Sequence, residues 1–175
     1  MSTKTPTRNP ALATRIRQRG NAALLSGWMV RLAELLSKRS IDWLRMSLGI
    51  VIAGFGVLKF FPGVSPAEPL TVPTTEALTF GIVTGQGTMI ATGLVECFIG
   101  LALLTGIGLR LGLVAMTGWL FGIMSPLLLM PGDLFPDGIP TIEAQYILKD
   151  VILAAAGAVV AARTLGARLV APARK

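Results

Sequence analysis

The sequence predicts an all-α polytopic membrane protein, a four-transmembrane-helix bundle with an N-terminal amphipathic interfacial helix. Three observations predict it. Of 175 residues, 53% are hydrophobic and 14% charged, with a mean hydropathy of +0.69, which is not the composition of a soluble domain. Four apolar segments reach the roughly 20 residues that carry an internally hydrogen-bonded helix across about 30 Å of hydrocarbon. The 16 lysines and arginines are confined almost wholly to one set of flanking segments.

In chain order, residues 1–20 form a basic, disordered N-terminus. Residues 21–40 form an amphipathic helix on the cytoplasmic side: Leu25, Trp28, Met29, Leu32, Leu35 and Leu36 recur at helical spacing, with Arg31, Glu34 and Lys38 on the other face. This is not a secretory signal, because a long polar leader precedes the first apolar stretch and no small-residue cleavage site follows it. The lack of acids before Glu34 also fits an organelle transit peptide, an alternative reading. The membrane domain covers 41–164, with spans at Trp43–Phe61, Met89–Leu109, Leu111–Met130 and Tyr146–Thr164. A basic tail, 165–175, follows. Pro62, Pro66, Pro69 and Pro73 in one outer loop, and Pro131, Pro136 and Pro140 in the other, predict ordered turns and not long helices. Within the first loop, Leu78, Phe80, Ile82 and Val83 make Thr75–Val83 apolar enough to dip into the outer face as a short lid. Ser125-Pro126 predicts a kink in the third span, because proline removes a backbone donor.

Basic residues in short flanking segments are retained in the cytoplasm. Eight of them precede Ile41, Arg110 lies between the second and third spans, and Arg163, Arg168, Arg174 and Lys175 close the chain. The loops Pro62–Thr88 and Pro131–Gln145 hold only acids: Glu68, Glu76, Asp133, Asp137 and Glu143. Both termini are therefore expected in the cytoplasm, with the chain in a bacterial plasma membrane. The net charge of +7 reads as a topology signal, so the expected partner is the lipid bilayer and not nucleic acid.

With no histidine and a single cysteine, the chain has no means to form a His-ligated haem, a His-based triad, an internal disulfide or a Cys/His zinc site, and no metal is expected. Cys97 reads as a packing residue, since burial in an apolar span lowers thiol reactivity. Helices in lipid approach through small residues. Gly118 and Gly122 on the third span, Gly49 and Ala53 on the first, and Ala154, Ala158 and Ala162 on the fourth are the predicted contacts.

Ionisable residues at membrane depth are functional candidates by default. Arg45, near the cytoplasmic end of the first span, is accounted for by snorkelling. Lys59, Glu96, Lys149 and Asp150 fall in the outer half of the bundle, with Glu96 about 10 Å, Lys59 about 3 Å and the last two about 5 Å below the outer edge. Either lysine could reach Glu96. A structural ion pair and a ligand or proton-relay site are both open for this cluster. Arg45, Trp119 and Tyr146 are secondary candidates, Trp119 because a mid-span ring fills the bundle or a subunit contact, or suits a flat quinone.

Several of these residues stand in a recognisable order. Arg45 and Gly49 are followed by Gly56-Val57-Leu58-Lys59-Phe60-Phe61-Pro62-Gly63 and Ser65-Pro66-Ala67-Glu68, then by Leu78-Thr79-Phe80-Gly81, Glu96 with Gly100, and Gln145-Tyr146-Ile147-Leu148-Lys149-Asp150-Val151. From Ile41 to about Ala162 the chain resembles the DoxX-like four-helix membrane proteins, and its closing Lys-Asp element is similar to that of the related YkgB-type inner-membrane proteins. The resemblance implies a redox-associated membrane component, whose family name comes from a subunit of a thiosulfate:quinone oxidoreductase. Without haem or iron–sulfur ligands, electron transfer would need a partner redox protein or a bound organic cofactor, for which a quinone is the expected class. Three functions compete: a quinone-linked subunit whose polar cluster exchanges protons, a structural or assembly partner in a homo-oligomer or larger membrane complex, and a small-solute transporter that would need to dimerise.

Overall fold

The structure is a computed structural model that describes the backbone of residues 10–168 and the side chains of residues 27–168. Every element among the described residues is helical. They are α1 (Pro10–Leu58), α2 (Glu68–Leu78), α3 (Gly85–Thr105), α4 (Leu109–Met124), α5 (Pro126–Leu129), α6 (Pro131–Leu134), a 3-10 turn at Pro136–Gly138, and α7 (Ile142–Thr164). Packing divides the chain into two units, Met1–Ser40 and Ile41–Lys175, and α1 contributes to both. Helix begins at Pro10, where disorder was expected up to Gly20. Residues 1–9 and 169–175, with Lys4, Arg8, Arg174 and Lys175, lie outside the described residues.

Four helical segments are long and apolar enough to cross a membrane: Gly27–Leu58, Gly85–Thr105, Leu109–Leu129 and Ile142–Thr164. In the second unit they are held together by small residues, and of the predicted contacts the pair Gly49 and Ala53 on the first span is made. The end of α1 packs on α3 so closely that a Cβ on Gly100 would come 2.6 Å from Ala53 Cβ, and one on Gly56 would come 2.9 Å from the Cys97 nitrogen. Gly49 in turn faces the Gly100 carbonyl. Between α3 and α4 the close approach is Gly112 against Ala102, and between α4 and α7 it is Gly157 under Met116. The predicted Gly118 and Gly122 contact is not made, because neither has a neighbour within 4 Å of where a Cβ would sit. The ladder on α7 is likewise displaced: Gly157 supplies the crossing, while Ala158 and Ala162 are exposed. The predicted contact holds on the first span, while on the third and fourth spans the heights at which the helices meet selected other small residues.

Leu48, Ile52, Ile99, Leu103, Met116 and Val160 form a core drawn from α1, α3, α4 and α7. A second apolar layer joins Leu134, Ala144 and Ile147 to Leu70, Met124, Leu127 and Phe135. That layer contains the main departure from expectation in the loops. Despite Pro69 in its first turn and Pro73 inside it, Glu68–Leu78 is an 11-residue helix, α2, and it packs on α3, α4 and α5. Burial of Leu70 and Thr74 on one side of α2 outweighs the missing proline donor. The second loop keeps to short turns. α4 is interrupted at Ser125, whose hydroxyl donates to the Gly122 carbonyl at 2.7 Å, and α5 restarts at buried Pro126.

Two helix starts shift the depth scale. α3 begins at Gly85, four residues before the expected Met89, and α7 at Ile142, where the Thr141 hydroxyl accepts the Ala144 N–H at 3.2 Å. Glu96 thus lies about 16 Å into an α3 about 31 Å long, at its midpoint. α1 ends at Leu58, and Lys59 lies against Gly93, about 12 Å inside α3. The first span therefore stops short of the end of α3. The turns at 59–67 and α2 close the part of the bundle that α1 does not reach.

Candidate functional site

The early end of α1 brings Lys59 to the depth of Glu96. Its ammonium lies 2.7 Å from both carboxylate oxygens of Glu96, the only ion pair among the described residues. Each side chain is nearly sealed, Glu96 at 2% and Lys59 at 4% exposure. Their approach depends on missing side chains around them. A Cβ on Gly56 would come 2.9 Å from Glu96 Cβ, and one on Gly93 would come 3.2 Å from Lys59 Cβ. From α4, Trp119 donates its indole N–H to Glu96 Oε1 at 3.0 Å. Three hydrogen bonds from two donors on two other segments therefore converge on one mid-span carboxylate, as a buried charge requires.

The lysine that pairs with Glu96 is Lys59, and Lys149 is excluded from the cluster. Lys149 is exposed, with its ammonium 4.2 Å from the centre of the Tyr146 ring, a cation–π contact made one turn apart on α7. Asp150, the next residue, is half-buried on a different face. It makes no salt bridge among the described residues. The sealed cluster is therefore Glu96 with Lys59 and Trp119.

Arg45 does more than snorkel. Its guanidinium donates to the Leu103 carbonyl in the last turn of α3, where carbonyls have no helical partner and a cation is favoured by the helix dipole. Cys97 is half-buried against Gly56, consistent with packing. The Trp119 N–H was missed as a ligand of Glu96, since the sequence reading weighed only its ring. Two further features were not foreseen. Ser65, in the turns after Lys59, has a buried hydroxyl without a hydrogen-bond partner. A groove of about 290 Å³ runs between α4 and α7, lined by Leu113, Met116, Leu120, Phe121, Ala154 and Ala158 among others, and its lining is almost wholly apolar. No group of three or more potential metal-ligating side chains occurs among the described residues.

Chemically, the arrangement holds a charge pair out of water and ties its carboxylate to an indole N–H. Apolar helices of membrane-spanning length around such a pair define a multi-pass, all-helical membrane protein. Compared with known protein families, curated proteins and solved structures, the chain matches none. The DoxX-like resemblance thus rests on the motifs in the sequence alone.

Proposed function

We propose that this is a DoxX-like membrane subunit of a quinone-linked redox assembly in the bacterial plasma membrane, in which the Lys59–Glu96–Trp119 cluster and Asp150 exchange protons with the carrier. Both termini lie in the cytoplasm, and an interfacial helix precedes the first span. The observation that carries the reading is the sealed polar cluster at mid-span: Glu96 is held by Lys59 and by the Trp119 N–H, and half-buried Asp150 makes no salt bridge among the described residues. An ionisable cluster within apolar spans can hold or pass a proton, and quinone chemistry requires protons to be supplied or removed. The groove between α4 and α7 supports the same reading, because its apolar lining at membrane depth suits an isoprenoid chain.

The test is to extract the protein in mild detergent and assay co-purifying quinone by mass spectrometry, for wild type, Glu96→Gln and Asp150→Asn. Quinone retained by wild type and lost from both variants, with melting behaviour preserved, is the expected result. Undiminished quinone in both variants removes these residues from any such site. A second reading, a structural or assembly partner, is favoured by the closure of the Lys59–Glu96 pair, since a sealed ion pair also serves to fix helix register. Under that reading a purified partner complex survives neutralisation of Lys59 and Glu96 together.

A further inference from the structure

Every residue from Gly27 to Arg39 is helical and exposed. Trp28, Met29, Leu32, Leu35 and Leu36 fall on one side of that helix, with Trp28 at 68% and Met29 at 67% exposure, while Arg31, Glu34 and Lys38 occupy the other; Val30 lies with the charged residues and Arg39 at the end of the apolar stripe. The apolar segment to which they belong, Gly27–Leu58, has 32 residues, against the roughly 20 that cross about 30 Å of hydrocarbon. About a dozen residues must therefore lie outside the hydrocarbon core, and their apolar stripe needs a cover other than lipid tails.

Charge selects that cover. The first 40 residues hold eight basic side chains and one acid, Glu34. Two copies of such a segment would repel each other, and a nucleic acid would neutralise the charges while leaving the stripe in water. We infer that Gly27–Arg39 docks on an anionic phospholipid surface, its apolar stripe in the acyl boundary and Arg31 and Lys38 on the headgroup phosphates. The two requirements, an apolar layer under a negative one, are met together only at a charged bilayer surface, and the segment leads directly into a span that enters that bilayer. Anionic lipid thereby becomes a ligand of this protein, and the lipid charge of the membrane controls whether the segment is held down. This inference rests on the proposed interfacial helix and is independent of the redox part of that reading.

The experiment uses the full chain reconstituted, without quinone, in vesicles of phosphatidylcholine alone or mixed with phosphatidylglycerol, and follows backbone hydrogen exchange at residues 27–39. Protection is expected in the mixed vesicles and lost in pure phosphatidylcholine or at high salt. Each neutralised basic residue should weaken docking about fivefold, so Arg31→Gln/Lys38→Gln lowers protection on the order of twenty-five-fold. Exchange in α3 and α4 serves as the control that the bundle is intact. Leu32→Ser/Leu36→Ser should also lose protection, in contrast to a purely electrostatic attachment. Protection that is equal in the two vesicle types overturns the inference, as does protection that follows protein density at constant lipid charge, which would assign the face to a second copy.

Discussion

Removing one partner of the mid-span ion pair should cost far more than removing both. Lys59→Met leaves the Glu96 carboxylate at the centre of α3 with only the Trp119 N–H, and Glu96→Met strands the Lys59 ammonium in the same sealed space. At 2.7 Å and an effective dielectric near 20, the attraction lost is about 6 kcal/mol. Desolvation of the two charges offsets much of it, so the pair adds little net stability, yet stranding one buried charge costs about 3–5 kcal/mol. Lys59→Met/Glu96→Met carries no buried charge, and its remaining defect is an orphaned indole N–H worth about 1–3 kcal/mol. Independent single effects would sum to about 6–10 kcal/mol, so the double variant should fall short of that sum by at least about 3 kcal/mol. Reversible unfolding in mixed micelles with rising dodecyl sulfate, followed by circular dichroism, measures all four proteins. Additive effects would show that the two charges do not depend on each other, and the site built on them would be refuted.

Three further expectations concern the helices around the site. Gly100→Ala, which places a methyl 2.6 Å from Ala53 Cβ, should destabilise by about 1–3 kcal/mol, whereas Gly118→Ala and Gly122→Ala meet open space and should be neutral or stabilising by up to about 1 kcal/mol. Thermal melts in detergent that rank the three alike would contradict the assigned contacts. Arg45→Gln should cost about 1–2 kcal/mol through the lost cap on the Leu103 carbonyl, while Arg110→Gln should stay within about 0.5 kcal/mol, read from the same unfolding assay. Phe80 stands at φ 53 with 94% of its surface exposed, just after α2, so Phe80→Gly should raise stability by about 0.5–1 kcal/mol in detergent, and a loss of that size would show that the ring is held by something other than solvent.

The residues of the polar cluster were legible in the sequence, but their pairing was not. Lys59, Glu96 and Asp150 stood out because charge is rare in apolar spans, and nothing else is needed to see that. Choosing Lys59 over Lys149 required knowing that α1 ends at Leu58 against the middle of α3, and that Lys149 turns back onto Tyr146. Helix ends set by tertiary packing are weakly encoded locally, which is also why α2 formed across two prolines. The expected site of interruption at Ser125-Pro126 was readable because a missing N–H acts on its own turn.

By itself, the sequence determined four helices long and apolar enough to cross a membrane, because the free energy of placing an apolar helix in lipid depends on length and composition, which are local sums. It also marked the few charges that lipid would reject. Which glycines touch, where the first span stops and which lysine meets Glu96 were decided only by the tertiary structure. Those outcomes depend on the relative heights and rotations of separate helices, and no single segment carries that information.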